Sequence, residues 1–278
     1  MTDTGIMCVS LTNTLYAEKK FDTGKNSIDI VFEKIQKYLP ELKCINYLSD
    51  ATSITDSYNK FGINKKIKSD IYSLLNTAKN DFEGEKYIII LYTDEPLVDF
   101  SLIPLMLKKH DDEIADYSMC ENFPAGMGIS IISYETLARI AQISSGNNEP
   151  FDKESIFKII NFDINSYDIE VEVCSQDMRR DRLELFANNK RNYLICNNIL
   201  MGLDNNETTF SNVYNLIKSN PVLMRTVPAY IEIEVTGKCN LSCIMCPRKN
   251  SGRTDTVMSF DDYQKVIDDI VNFCDDIV

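Results

Sequence analysis

The run Tyr87-Ile88-Ile89-Ile90-Leu91-Tyr92 constrains the fold of this chain more than any other segment. It is apolar without alternation, so the strand it predicts is buried on both faces, as in a parallel sheet covered by helices on each side. The flanking sequence fits that reading. Gly5–Ser10, Cys44–Leu48, Met127–Ile132 and Ile169–Cys174 read as further strands. Ser27–Leu39 places Ile28, Val31, Phe32, Ile35 and Leu39 on one helical stripe, with Asn26 or Ser27 to cap it and Pro40 just beyond its end. Ile67–Ala78, Ser101–Lys109, Tyr134–Ile143, Asp152–Phe162, Asn188–Met201 and Ser211–Ser219 read as helices. Strands alternating with helices predict an α/β domain around a mostly parallel sheet. Asn220-Pro221 marks its end. The expected layout is a domain over 1–220, a linker over 221–228 and a second module over 229–278.

A length of 278 residues suits two domains. No apolar run approaches the roughly 20 residues that a membrane-spanning helix needs, and the start lacks a signal-peptide pattern. Nine cysteines at irregular spacing fit a reducing compartment. The expectation is therefore a cytoplasmic protein with no membrane partner. A net charge of −13 argues against nucleic acid as a partner, since phosphate-backbone binding relies on clustered lysine and arginine. Lys65-Lys66 and Arg179-Arg180 read as solvated surface pairs.

The segment Cys239-Asn240-Leu241-Ser242-Cys243-Ile244-Met245-Cys246 spaces three cysteines as C-x3-C-x2-C. Three thiolates on one loop can hold three corners of a cubane iron–sulfur cluster, leaving one iron open to a small molecule. Zinc is the alternative, but a structural zinc site wants four ligands. The only histidine, His110, lies far upstream, and Cys274, beside Phe273, reads as a buried residue of a helix. A disulfide would leave an odd cysteine.

This loop resembles the signature of the radical S-adenosylmethionine (radical SAM) superfamily. Ile231–Thr236 is similar to its first barrel strand. Asn240-Leu241, Met245 and Pro247-Arg248 look like the branch that carries a SPASM domain, and Met258-Ser259-Phe260 like the start of the first barrel helix. The resemblance implies that Cys239, Cys243 and Cys246 hold a [4Fe–4S] cluster whose open iron binds S-adenosyl-L-methionine. An electron donor would then drive release of a 5′-deoxyadenosyl radical. Thr236, Lys238 and Asn240 would orient the loop. The substrate is not identified, although SPASM relatives often act on peptides or proteins.

The first domain resembles the sugar-activating cytidylyltransferases, including the spore-coat polysaccharide type. The resemblance rests on Leu91–Asp99, Ile103, His110, Ala115-Asp116-Tyr117, Phe123–Gly128, Ser133–Leu137, Arg182–Leu185 and Asn192–Leu200, in that order. It implies the nucleotide-diphospho-sugar-transferase α/β sandwich, with Asp94 placed to hold a divalent metal on nucleotide phosphates. Two features depart from that family. The stretch Ser10–Lys20 has no glycine where a loop rich in glycine, arginine and lysine embraces the triphosphate. Phe186-Ala187-Asn188 stands where a second metal-binding aspartate is expected.

The combined layout is similar to the spiro-SPASM family. The expected fold is thus a transferase-like sandwich followed by the first β/α unit of a radical SAM barrel. A full barrel needs roughly 250 residues, so the chain reads as the N-terminal portion of a longer radical SAM enzyme, inactive by itself. The alternatives are a nucleotidyltransferase, or a module that binds a sugar nucleotide or a partner.

Overall fold

A computed structural model gives the fold. It describes residues 3–11, 15–178, 181–203, 207–228, 230–241, 243–246, 256–271 and 276–277. The Arg179-Arg180 pair, Pro247-Arg248, Phe273 and Cys274 lie outside the described residues, as do positions 12–14 of the stretch after the first strand. The chain divides into two compact units, residues 1–188 with 192–225, and residues 189–191 with 226–278.

In chain order the first unit comprises β1 (Thr4–Ser10), α1 (Leu15–Glu18), α2 (Ser27–Tyr38), β2 (Lys43–Ser49), α3 (Asp56–Asn59), β3 (Asn64–Ile67), α4 (Ile71–Asp81) and β4 (Tyr87–Tyr92). There follow α5 (Leu102–Asp112), β5 (Tyr117–Glu121), β6 (Ser130–Ser133), α6 (Tyr134–Ile143), α7 (Ser155–Phe162), β7 (Ile169–Val173), α8 (Lys190–Gly202) and α9 (Phe210–Ser219). Seven strands form one sheet in the order β3-β2-β1-β4-β6-β5-β7. Every neighbouring pair is parallel except the two that β6 makes, with β4 and with β5. The expected α/β fold with a mostly parallel sheet is what the chain adopts.

Alternation along the central strands fills two cores. On β1, Met7 and Val9 join one core while Ile6 and Cys8 join the other, and on β4 Ile88 and Ile90 oppose Ile89 and Leu91 in the same way. Leu74, Leu75 and Ala78 of α4, Leu137 and Ile140 of α6 and Ile160 of α7 cover the first face. Ile28, Val31 and Ile35 of α2, with Ile103, Met106 and Leu107 of α5, cover the second. Side-chain caps fix the helix starts. Asn26 accepts from the Asp29 amide at 2.8 Å at the start of α2, and Asp70 does the same for Ser73 in α4. A third core, under α8 and α9, gathers Leu97, Met127, Leu185, Tyr193 and Ile199.

A buried polar cluster fastens α2 to the segment after β4. The Lys34 ammonium donates to the carbonyls of Pro96 and Val98 at 2.9 and 2.8 Å. Asp99 is buried beside it. One Asp99 oxygen accepts from the Ser101 amide and hydroxyl, and the other from the Phe210 amide at the start of α9.

Several elements differ from the sequence reading. Ile67 closes a short edge strand, and the helix expected from that residue begins at Ile71. The strand expected over Met127–Ile132 occupies Ser130–Ser133, and β5 had no counterpart. The closing strand expected at Arg182–Leu185 is a single bridge, between Glu184 and Ala125.

In the second unit a strand, a helix and a second strand follow one another in that order. The strand expected over Ile231–Thr236 is two residues long, β8 (Tyr230–Ile231), paired in parallel with β9 (Asp276–Ile277). Between them runs α10 (Phe260–Ile270), capped by Ser259 on the Asp262 amide. Among the described residues these two strands pair only with each other, and Tyr230, Val235, Val257 and Phe260 are exposed. No described helix is long and apolar enough to cross a membrane.

Candidate active site at the carboxyl end of the central strands

From β1 the chain passes outward to β2 and β3, then returns to the other side of β1 as β4. The connections therefore reverse direction between β1 and β4. In an open α/β sheet the crevice outside the carboxyl ends of two such strands is where ligands bind. Here that place holds Ser10 at the end of β1 and Thr93-Asp94-Glu95 directly after β4. The Ser10 and Thr93 hydroxyls lie 2.7 Å apart, and Ser10 donates to Asn46 of β2 at 2.9 Å. Ser27 of α2 donates to the Thr93 carbonyl. These bonds tie three strand ends and one helix into a rigid rim.

Asp94 and Glu95 are both buried. Their charges meet on Lys153, in the segment before α7, whose ammonium lies 2.7 Å from Asp94 Oδ1 and 2.8 Å from Glu95 Oε1. The same nitrogen sits 3.8 Å from the centroid of the Phe186 ring and 4.9 Å from that of Tyr92. An aromatic face attracts a cation through its quadrupole. Burial works to lower the Lys153 pKa, but Glu95 and Asp94 outweigh it and hold the ammonium above its ordinary value. Burial pushes the Glu95 carboxyl up to about 7, with the Asp94 charge adding to the rise and Lys153 opposing it. Asp94 Oδ2 is buried and has no hydrogen-bond partner.

A cavity of about 530 Å³ opens beside this cluster, lined by Tyr92, Glu95, Lys153, Phe157, Phe186 and the link from Phe123 to Gly128. Because β5 runs parallel to β4 and β6 returns antiparallel, that link stands on the same rim as Asp94. Gly126 makes it possible. Its φ is +92°, and a Cβ there would stand 2.5 Å from the Leu185 carbonyl oxygen. Gly126→Ala is expected to cost about 3 kcal/mol in urea unfolding, from left-handed backbone strain and this clash together. A cost below about 1 kcal/mol would speak against the pairing of Ala125 with Leu185.

A second cavity of about 380 Å³ is lined by Lys34, Tyr38, Asp99, Phe100 and Thr208 among others. Both Asp99 oxygens there are already bonded, and Lys34 already serves two carbonyls. The unpartnered atom there is the Thr23 hydroxyl, whereas beside the first cavity it is a carboxylate oxygen, Asp94 Oδ2.

Of the residues singled out by sequence, Asp94 stands where the cytidylyltransferase resemblance puts it, at the end of a central strand. Its partners Glu95 and Lys153 carried no signal, because Lys153 is 59 positions away. Phe186, noticed only as a missing aspartate, forms a wall of the site. His110 belongs to the interior: it is fully buried, bonds Ser118 at 2.6 Å, and burial lowers its pKa to about 4.

The three cysteines are not brought into a centre. Cys239 and Cys243 are exposed and Cys246 is half-buried. Ile244 and Met245 beside them are 97% and 92% exposed. Among the described residues no group of three His, Cys, Asp or Glu side chains is placed to hold a metal ion.

No family model matches the chain. An uncharacterised protein of Treponema pallidum (strain Nichols) is 35% identical over 92 residues, which are 33% of this chain and 24% of that protein. The chain thus matches about a quarter of the length of that relative. Among solved structures, a cytidylyltransferase from Leptospira borgpetersenii serovar Hardjo-bovis (strain JB197) superposes with a TM-score of 0.63 at 16% identity, covering 81% of this chain and 97% of that one. A CMP:2-keto-3-deoxy-manno-octonic acid synthetase complexed with CTP gives a TM-score of 0.46 at 12% identity, over 62% of this chain and 90% of that one. The first likeness establishes a nucleotidyltransferase-like fold. It also corrects the radical SAM reading. The solved structure that superposes at a TM-score of 0.63 is a cytidylyltransferase, and the described cysteines gather no cluster site, so the expected [4Fe–4S] cluster, S-adenosyl-L-methionine cofactor and radical activity do not hold.

Proposed function

We propose that the first unit is a nucleotidyltransferase of the cytidylyltransferase type. One observation carries this reading: a buried carboxylate with an unpartnered oxygen, Asp94, stands at the reversal point between β1 and β4, bonded to Lys153, which with Glu95 lines a cavity. An unpaired buried oxygen is costly unless a ligand or water completes it. In nucleotidyl transfer an acceptor oxygen attacks the α-phosphorus of a nucleoside triphosphate, that P–O bond forms, and pyrophosphate leaves. The task of the protein is to position both reactants and to stabilise charge on the phosphorus oxygens. The Ser10–Thr93–Asn46 bonds hold the rim rigid. Asp94 and Glu95 hold the Lys153 ammonium in place, and the aromatic cavity wall excludes water beside it.

Nucleoside triphosphates are cytoplasmic substrates, and we place the protein there. A second reading, capture of a sugar nucleotide without transfer, is favoured by the phenyl ring of Phe186 where a second carboxylate would serve phosphoryl chemistry.

The test is pyrophosphate release from each nucleoside triphosphate in the presence of sugar phosphates and sugar acids, with and without magnesium. Turnover with CTP, lowered by about 100-fold or more in Asp94→Asn, is expected. Binding of a CDP- or CMP-sugar with no pyrophosphate release selects the second reading. Neither turnover nor binding overturns both.

A further inference from the structure

The fold calls for a cation beside Asp94, and the chain supplies one. Magnesium and its relatives demand oxygen ligands in near-octahedral array. At this site Asp94 Oδ1 and Glu95 Oε1 are both taken by Lys153. The stretch where a second carboxylate is expected, Phe186-Ala187-Asn188, carries no carboxylate, and its Phe186 offers a ring face to the same nitrogen. Two carboxylates and two aromatic rings thus converge on one point, and that point is occupied by an ammonium. Such a cage of mixed carboxylate and aromatic walls suits an ammonium and does not fit a divalent ion. Two carboxylate oxygens remain, Asp94 Oδ2 and Glu95 Oε2, and each is on the same carboxylate as an ammonium-bound oxygen. A doubly charged ion placed on either would face the ammonium across a few ångströms of largely buried space, where like charges repel strongly.

We propose that the Lys153 ammonium is the resident cation of this site, standing where a nucleotidyl-transfer site of this fold would otherwise hold a divalent ion, so that the site takes its ligand without a bound metal. The nature of the ligand rests on the nucleotide reading above; the cation assignment rests on the cage alone. An ammonium has three N–H donors. Two are given to Asp94 and Glu95, which leaves the third for a ligand oxygen in the cavity that Lys153 lines. Glu95, which lines the same cavity, has its second carboxylate oxygen, Oε2, to accept from a donor on that ligand. The pair offers one donor and one acceptor side by side, which matches a hydroxyl-bearing phosphate ester better than a metal–phosphate chelate.

Manganese binding to the full chain, read by loss of the free-ion electron paramagnetic resonance signal, tests the assignment without any assay of activity. The wild-type chain is expected to show no saturable manganese site that Asp94→Asn removes. Lys153→Met keeps the length of the side chain and deletes its charge. It is expected to bind one manganese at least tenfold more tightly than wild type, and Asp94→Asn in that background is expected to abolish the gain. Lys153→Arg retains a cation and is expected to go on excluding manganese; it carries the comparison if Lys153→Met does not fold. A wild-type manganese site that Asp94→Asn removes would overturn the assignment. So would a folded Lys153→Met chain that binds no more manganese than wild type. CTP titration in EDTA and in magnesium forms a separate arm, with equal affinity expected. Binding only with magnesium sinks the proposal. Absence of CTP binding in both buffers sinks the nucleotide reading, while the manganese result still decides what the cation is.

Discussion

Asp99→Ala is expected to destabilise the chain by about 4 kcal/mol, among the largest effects of any single substitution outside the cores. The carboxylate is buried and accepts three hydrogen bonds, from the Ser101 amide at 2.9 Å, the Ser101 hydroxyl at 2.6 Å and the Phe210 amide at 2.7 Å. Its charge also acts on the buried Lys34 amine. Removal leaves three donors short of an acceptor and a buried base without its anion. Each unsatisfied buried donor costs about 1–3 kcal/mol, with water entering the space to recover part of it. The amide of Phe210 opens α9, so the damage spreads from the segment after β4 to a helix more than a hundred positions later. For a unit of this size the loss corresponds to a melting temperature lower by about 10 °C. Asp99→Asn preserves shape and one acceptor and is expected to cost about half as much. Urea unfolding followed by circular dichroism measures both. A loss below about 1 kcal/mol for Asp99→Ala would show that the cluster is not what fastens α9.

Stability is expected to rise as pH increases from 7 towards 10, by about 2 kcal/mol between pH 7 and pH 9 from Lys34 alone. Burial lowers the Lys34 pKa from 10.5 to about 7, against the pull of Asp99. In the unfolded chain the amine keeps its ordinary value. Between the two values the unfolded state binds a proton that the folded state does not, so raising the pH favours folding throughout that window. Below about pH 7 both states are protonated and the contribution is constant, at its least favourable. Lys34→Met removes the titration, since methionine fills similar space without a charge. Unfolding free energies at pH 7, 8 and 9 for the two chains isolate the effect, because the other titrating groups cancel in the difference. Equal slopes would mean that the Lys34 amine stays charged in the folded chain. Asp99 and Lys34 act on one another, so the two substitutions together are not expected to add.

The fold was legible where a physical constraint is local. β1, β2 and β4 announce themselves because strands covered on both faces need unbroken apolar runs. The stripe and cap of α2 follow from a period of 3.6 and one asparagine. β3 escaped because Asn64-Lys65-Lys66-Ile67 is an edge strand, where lysines guard an unpaired edge and apolar pattern is not required. β5 escaped because Tyr117-Ser118-Met119-Cys120-Glu121 mixes polar and apolar residues along one covered face. That β6 runs against its neighbours is a property of pairing, which no short window reveals. The site divides in the same way. Asp94 could be found from its place after a strong strand, but Glu95, Lys153 and Phe186 become one cage only when segments about 60 and 90 positions away return to the rim. The cysteine spacing misled for the converse reason. Spacing can be read in one window, whereas a metal centre requires convergence in space, and among the described residues no group of three His, Cys, Asp or Glu side chains is placed to hold a metal ion.

One interior strand of the sheet, β1, also sets a timetable for synthesis. β1 is buried along its whole length and bonds β2 on one edge and β4 on the other. Its second partner is made roughly 80 residues after it, and at about 5–20 residues per second the ribosome needs roughly 4–16 seconds to deliver it. Throughout that interval the nascent chain carries a strand with one bare edge and two oily faces. A holdase that binds extended apolar segments is expected to meet this chain early, and synonymous codons that slow the stretch from β2 to β4 are expected to lower its soluble yield.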